Sequence, residues 1–143
     1  MKQNIIDLYR QSNQFGKEIE LEYDFLPDDT VINRITIGKK HLATPVAAHG
    51  GVMATLADST LGVAALAVSQ KNGNLVSTVE FKINYLKPAL LGDTITGISR
   101  IRQMGKKIIF VDADFYNQKE ELVATASGTF NQYPFSKVFE MTI

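Results

Sequence analysis

One carboxylate stands alone in a long stretch of small and apolar residues. Asp58 is the only charged residue between Gly50 and Gln70. A carboxylate in such surroundings is costly unless it is paired, hydrogen-bonded or protonated, and burial would raise its pKa toward the range that suits a general base. Asp58 is therefore the first candidate for a catalytic group. A structural aspartate that accepts hydrogen bonds from amides or hydroxyls would produce the same pattern.

The segment His49-Gly50-Gly51 comes directly before this stretch. If the stretch is a helix, these residues lie at its N-terminus, where backbone N–H groups are unpaired and the helix dipole is positive. Glycine lets a ligand approach the backbone closely, so the segment has the parts of an oxyanion hole built from main-chain donors. The alternative is a flexible turn in which His49 caps the helix or packs against it.

The spacing of these two candidates favours a site shared between chains. His49 and Asp58 are nine residues apart, roughly 14 Å along a helix at about 1.5 Å per residue, and they face nearly opposite sides of it. One chain would hardly bring both to one carbonyl carbon. Two antiparallel helices related by a twofold axis would do so.

Five basic residues that follow the helix are candidates for binding phosphate groups. The basic residues are Lys82, Arg100, Arg102, Lys106 and Lys107. Lysine plus arginine equals aspartate plus glutamate, 15 each, so we expect no general attraction to nucleic acid or to an anionic membrane. A polyanionic ligand would need a local cluster of this kind. The same residues would also suit solvated strand edges.

Other chemistries have no support in the sequence. The chain has no cysteine, which excludes disulfides and a cysteine nucleophile. It has no P-loop, dinucleotide fingerprint or metal-ligand spacing. The N-terminus does not resemble a signal peptide, and the apolar stretch from Val52 to Val68 is slightly short and too polar for a membrane span. We therefore expect a soluble, cytoplasmic protein.

The hydrophobic pattern predicts the elements that position the candidates. The length of 143 residues favours a single domain. A short helix is predicted at Ile5–Tyr9 and a buried helix at Val52–Val68. Six strands are predicted, at Glu18–Phe25, Val31–Ile37, Leu75–Leu86, Asp93–Gln103, Lys107–Asn117 and Leu122–Asn131. This order indicates the α+β class, with an antiparallel sheet wrapped around a central helix.

Several consecutive blocks resemble one known family. The stretch from His49 to Gly62 reads HGGVMATLADSTLG, and Val79 to Ala89 reads VEFKINYLKPA. Together with Leu91–Thr94 and Met104–Lys106, these blocks resemble the PaaI-like hotdog-fold acyl-CoA thioesterases. The resemblance covers roughly residues 21–131.

The resemblance implies a fold, an activity and an assembly. The fold is a hotdog, a sheet of five or six strands around one helix, here as a single domain at 1–143 with an N-terminal helical extension at 1–16. The activity is hydrolysis of acyl-CoA thioesters, commonly of small or aromatic acyl groups. It requires no metal and no organic cofactor, because coenzyme A is part of the substrate. Two protomers pair into one continuous sheet, often within a tetramer formed as a dimer of dimers.

The resemblance also assigns roles to residues. Gly50 supplies the N–H that polarises the thioester carbonyl. His49 shapes the turn that contains Gly50 and Gly51. Asp58 of the partner chain is the general base or the nucleophile. Thr78 matches a hydroxyl that helps orient water, although strict alternation places it on the same polar strand face as Glu80 and Lys82.

One departure from the family pattern motivates a second hypothesis. Many members have an asparagine six residues before the histidine and a glycine three before it, where this chain has Ala43 and Val46. An acyl-CoA-binding or regulatory protein with weak or no turnover is therefore the alternative. A hotdog hydratase ranks last, because its histidine base belongs to a different local pattern.

Overall fold

The predicted α+β architecture is present. The computed structural model describes residues 4–140. Within that range one antiparallel sheet has six strands in the order β1-β2-β4-β5-β6-β3. The strands are β1 (Glu22–Phe25), β2 (Val31–Thr36), β3 (Asn74–Tyr85), β4 (Thr94–Met104), β5 (Ile108–Tyr116) and β6 (Leu122–Pro134). The helices are α1 (Ile5–Ser12), α2 (Gln14–Glu18), α3 (Gly50–Ser69) and α4 (Lys137–Glu140).

The long helix α3 is the centre of the core. It packs against β2 through β6, and Leu56 and Leu61 have no exposed surface. A one-turn 3₁₀ helix follows, and Gly73 ends it with φ of 72°, a left-handed conformation that glycine adopts without strain. The segment Gly50–Asn72 is long and apolar enough to cross a membrane, but in this fold it is the helix around which the sheet wraps.

One stripe of α3 is not covered by the sheet. Ala54, Asp58 and Gly62 are only partly buried, and their spacing of four residues places them on one side of the helix. The expectation that Asp58 lies in a helix buried on all sides is therefore wrong. An apolar composition all round does not distinguish a helix wrapped by protein from one whose last face borders a cavity.

The N-terminal segment is more helical than predicted. The expected helix at residues 5–9 extends to Ser12, and Asn13 then caps α2 by accepting a hydrogen bond from the N–H of Gly16 at 3.0 Å. The strand predicted from Glu18 begins only at Glu22, because α2 ends at Glu18 and Glu20 adopts a positive φ of 64°. Residues 1–3, the start of the predicted N-terminal extension, lie outside the described residues.

A β-bulge changes which side chains of β3 face the helix. Thr78 pairs with Phe130 and Glu80 pairs with Thr129, so Val79 is an extra residue on this strand. One inserted residue reverses the alternation of side chains beyond it. Thr78 therefore faces α3, whereas Glu80 and Lys82 lie on the outer face of the sheet. The expectation that these three residues share a face is wrong.

Candidate active site

The start of α3 presents one free amide. His49 has extended backbone angles of −60° and 137°, and its Nδ1 accepts a hydrogen bond from the N–H of Gly51 at 2.7 Å. The N–H of Val52 donates to the carbonyl of His49 at 3.0 Å. Within residues 4–140, the N–H of Gly50 has no hydrogen-bond partner. The exposed Gly50 thus offers its donor at the positive end of the helix dipole.

Two residues outside the predicted set hold this turn in place. The N–H of His49 donates to the carbonyl of His41 at 2.7 Å. His41 is buried, and its ring bonds the N–H of Gly38 and the carbonyl of Ile19, each at 2.9 Å. The phenol of Tyr85 donates to the carbonyl of Gly50 at 2.6 Å. Spacing along the chain gave no sign of the Tyr85 contact, since 35 residues separate the two partners.

The middle of α3 presents a carboxylate instead of an amide. Asp58 is half-buried, and its Oδ1 accepts a hydrogen bond from the hydroxyl of Thr78 at 2.9 Å. This contact depends on the bulge at Val79, which turns Thr78 toward the helix. A hydroxyl that donates to the carboxylate holds its orientation and leaves its other lone pairs available for water.

These two groups line different cavities of the same chain. Gly50 lies with Tyr85 and Lys87 in a cavity of about 270 Å³. Asp58 lies with Thr78 in a cavity of about 580 Å³, which is bounded by α3, β3, β6 and the N-terminal helices. Within one chain the amide and the carboxylate therefore do not reach a common space. This arrangement agrees with the separation that the helical spacing predicted.

A cluster of hydroxyl and amide groups borders the larger cavity beside Asp58. Tyr23 and Ser59 share a hydrogen bond, and the Nδ2 of Asn13 donates to Tyr9 at 3.0 Å and to Tyr23 at 3.4 Å. Burial raises the pKa of the Tyr23 phenol well above its usual range, so Tyr23 stays neutral at physiological pH. The cluster joins the N-terminal helices to α3 through uncharged groups.

Most of the residues predicted to bind phosphate either form ion pairs with carboxylates or lie away from Asp58. Arg100 bonds Asp112 at 2.8 Å and Asp114 at 3.2 Å, and Arg102 lies 3.4 Å from Asp112. The hydrogen bond and the charge of Asp112 raise the pKa of Arg100. Asp112 and Asp114 lie on the neighbouring strand β5 and offset the charge of the two arginines.

The lysines of that set divide into two groups. Lys82 lies beside Arg100 and Asp112 on the outer face of the sheet, away from Asp58. Lys106 and Lys107 are exposed at the turn between β4 and β5. In the part of the chain that the structure describes, neither of these two forms an ion pair. Their role in binding coenzyme A stays a prediction.

The departure at Ala43 lies in the loop before α3. Ala43 is exposed, and its N–H donates to the carbonyl of Ala47 at 3.0 Å. The loop is thus closed by its backbone, and the methyl group of Ala43 supplies no polar contact.

Comparison with known proteins identifies the family. Residues 47–124, more than half of the chain, match the family model described as the thioesterase superfamily. Acyl-coenzyme A thioesterase PaaI of Escherichia coli is 24% identical over 126 residues, which cover 88% of this chain and 86% of that protein. Human acyl-coenzyme A thioesterase 13 is 31% identical over 88 residues, 62% of this chain and 61% of that protein.

Solved structures show the same fold. The structure of the E. coli PaaI protein, from the phenylacetic acid degradation operon, matches with a TM-score of 0.81 at 22% identity and covers 91% of both chains. A hypothetical thioesterase protein of Streptococcus pneumoniae, solved with coenzyme A, matches with a TM-score of 0.72 at 24% identity and covers 83% of this chain and 97% of that one. The chain belongs to the thioesterase superfamily and is a PaaI-like thioester hydrolase of the hotdog fold.

Proposed function

We propose that the protein hydrolyses acyl-coenzyme A thioesters, with small or aromatic acyl groups as the resemblance implies, at a site built by two protomers. Gly50 of one protomer and Asp58 of the other face the same thioester. The observation that supports this most directly is the placement of the two groups in separate cavities of one chain. A twofold arrangement of two α3 helices brings the start of one helix beside the middle of the other.

The chemistry follows from the two groups. The free N–H of Gly50 donates to the thioester oxygen and stabilises the negative charge that develops there. Asp58, held by Thr78, accepts a proton from water as the water attacks the carbonyl carbon. The carbon–sulfur bond then breaks, and the proton passes from Asp58 to the departing sulfur, which leaves as free coenzyme A. Asp58 as a nucleophile is the other route: its carboxylate displaces coenzyme A and forms an anhydride, which water then hydrolyses. Single-turnover hydrolysis in ¹⁸O-water that leaves ¹⁸O in Asp58 would establish this route, because the general-base route puts ¹⁸O only into the product acid.

A mixing experiment tests the shared site. Asp58→Asn and Gly50→Pro variants, each inactive alone, are unfolded and refolded together so that mixed dimers form. In a mixed dimer one site keeps both groups and the other has neither, so activity returns to about a quarter of wild type for random mixing and independent sites. Recovery contradicts a site within one chain, since every site would then contain one lesion. No recovery, with mixed dimers verified by native mass spectrometry, contradicts the proposal.

A binding protein with little turnover is the second candidate, and Ala43 is the observation that favours it. The loop before α3 has no polar side chain at this position, where the family resemblance implies an asparagine. Calorimetric binding of acyl-CoA without release of free thiol, across short, aryl and long acyl groups, would favour this candidate. The dimer, the cytoplasmic location and the absence of any cofactor also remain predictions.

A further inference from the structure

The cavity beside Asp58 continues along α3 well beyond the carboxylate. Ala54, Asp58, Gly62 and Leu66 all line it, and each is one helical turn, about 6 Å, from the next. The cavity therefore extends about 12 Å along the helix from Asp58 to Leu66. A small acyl group attached to a thioester at Asp58 would occupy only its beginning.

Strand β3, on the opposite wall of the cavity, also indicates that the cavity extends from Asp58 toward Leu66. Tyr85 contacts Gly50 and Thr78 contacts Asp58, so β3 runs antiparallel to α3. Its earlier residues Leu75 and Val76 therefore lie toward Leu66, at the far end of the same cavity. The charged group lies near one end, and the lining becomes predominantly apolar toward the other.

The N-terminal helices border the cavity on the side away from the sheet. Phe15 and Leu21 contribute apolar surface, and the hydrogen bonds of Asn13 and Tyr23 with Tyr9 and Ser59 tie this segment to α3. The result is a partly open channel, with the helix as one wall and β3 and β6 as another.

Gly62 lines this channel one helical turn beyond Asp58. Glycine in a helix interior is unfavourable relative to alanine, so its presence there requires a local reason. A Cβ at this position would lie 3.3 Å from the ring of Phe130, which is buried and also lines the cavity. A side chain at position 62 would therefore either displace this ring or occupy the space between α3 and Phe130. Glycine leaves that space open.

We propose that Gly62 determines the acyl length that the enzyme accepts, and that the channel admits extended apolar acyl chains that reach from Asp58 toward Leu66. This inference rests on the proposed hydrolysis of acyl-CoA, and it replaces the small acyl groups of that proposal with elongated ones. A side chain at position 62 closes the channel one turn beyond the carboxylate. A larger side chain at position 66 closes it two turns beyond.

The test is a series of acyl-CoA substrates from acetyl to decanoyl, with phenylacetyl-CoA as a bulky but short comparison. The wild type is expected to hydrolyse octanoyl-CoA with a higher kcat/KM than acetyl-CoA. Gly62→Val is expected to lower kcat/KM for octanoyl-CoA by about 10- to 100-fold more than it lowers kcat/KM for acetyl-CoA. Gly62→Ala changes the same ratio less, and Leu66→Trp affects only the longest substrates. The control Val68→Leu adds bulk to the same helix outside the cavity and leaves the ratio unchanged.

Two outcomes overturn the inference. A wild type that does not favour longer acyl groups contradicts the channel. A loss in Gly62→Val that is equal for all acyl lengths, together with a lower melting temperature, assigns Gly62 to packing against Phe130. If the wild type hydrolyses no acyl-CoA, the proposed function has failed, and binding then tests the channel separately. Decanoate binds the wild type but not Gly62→Val by calorimetry if the channel exists, and binds both or neither if it does not.

Discussion

The start and the middle of α3 supply chemistry in opposite ways. At the start, the reactive group is a backbone amide, that of Gly50, and side chains such as His49 and Tyr85 only hold the turn. In the middle, the reactive group is the side chain of Asp58, held by another side chain, that of Thr78. Position 50 should therefore tolerate a small side chain that keeps the amide, whereas the middle depends on the identity of the side chain.

Removing the charge in the middle should have the largest effect. Asp58→Asn keeps the shape of the side chain and an oxygen that accepts from Thr78, so the fold should be retained. Loss of proton transfer by this group lowers kcat by about 10²- to 10⁴-fold. Steady-state kinetics on the best acyl-CoA measures the loss, and circular dichroism verifies the fold. Near-normal turnover would make Asp58 a structural residue.

Removing the amide at the start should have the next largest effect. Gly50→Pro lacks the N–H, and proline is tolerated at the first position of a helix. His49 before it already has ψ of 137°, the extended conformation that proline favours in its predecessor. We expect kcat to fall about 10²- to 10³-fold, as for loss of one oxyanion donor.

The matched control at the same position keeps the amide. A Cβ at Gly50 would lie 3.6 Å from the hydroxyl of Tyr85, an ordinary contact, so Gly50→Ala should remain active. If the alanine and proline variants lose the same activity, the side-chain space matters and the amide does not.

Weakening the support of the carboxylate should cost less than removing it. Thr78→Val removes the hydroxyl that donates to Asp58, and a hydrogen bond to a charged group is worth about 1.5–3 kcal/mol. We therefore expect kcat to fall by about 10- to 100-fold, with little change in KM. Thr78→Ser keeps the donor and should recover most of the rate. A serine variant as slow as the valine variant would point to packing as the role of Thr78.

Weakening the support of the amide should cost less again. Tyr85→Phe removes the hydrogen bond to the carbonyl of Gly50, a neutral bond worth about 0.5–1.5 kcal/mol, so kcat should fall by about 2- to 10-fold. Tyr116→Phe is the control, because within residues 4–140 its hydroxyl has no hydrogen-bond partner. Equal kinetics for the two variants would show that the turn does not need Tyr85.

The smallest effect is expected far from both regions, at the free lysines. Replacing Lys106 and Lys107 by alanine should raise KM for acyl-CoA about 2- to 5-fold with kcat unchanged, as for exposed charge pairs. Arg102→Ala should change KM less, because Asp112 already pairs with Arg102. The difference should fade in high salt. An unchanged KM in the lysine variant would place the phosphates of coenzyme A elsewhere.

Local sequence patterns were sufficient for the elements that form by short-range rules. The uncharged stretch around Asp58 indicated the central helix, and alternation indicated the strands from β2 to β6 with small errors at their ends. The segment His49-Gly50-Gly51 was placed at the start of the helix, where the structure has it. The separation of Gly50 and Asp58, eight residues or about 12 Å along the helix, followed from the helical rise alone.

Several features of the site depend on contacts between distant segments. The extra residue Val79 reverses the alternation of β3 and turns Thr78 toward Asp58, and no residue type in the strand marks such a bulge. Asp112 pairs with both Arg100 and Arg102 because of the register of β5 against β4, which alternation within each strand does not reveal. Tyr85 reaches Gly50 only through the packing of β3 against α3.

The sequence by itself determined the helix, its lone carboxylate and its glycine-rich start, because helical periodicity and helix-end chemistry depend on neighbours within a few residues. The tertiary structure decided which face of α3 borders a cavity, how far that cavity continues past Asp58 and which side chains fix the reactive groups. Those properties depend on the register of β3 and on how the N-terminal helices pack, and both are set by free energies summed over contacts between residues far apart in the chain.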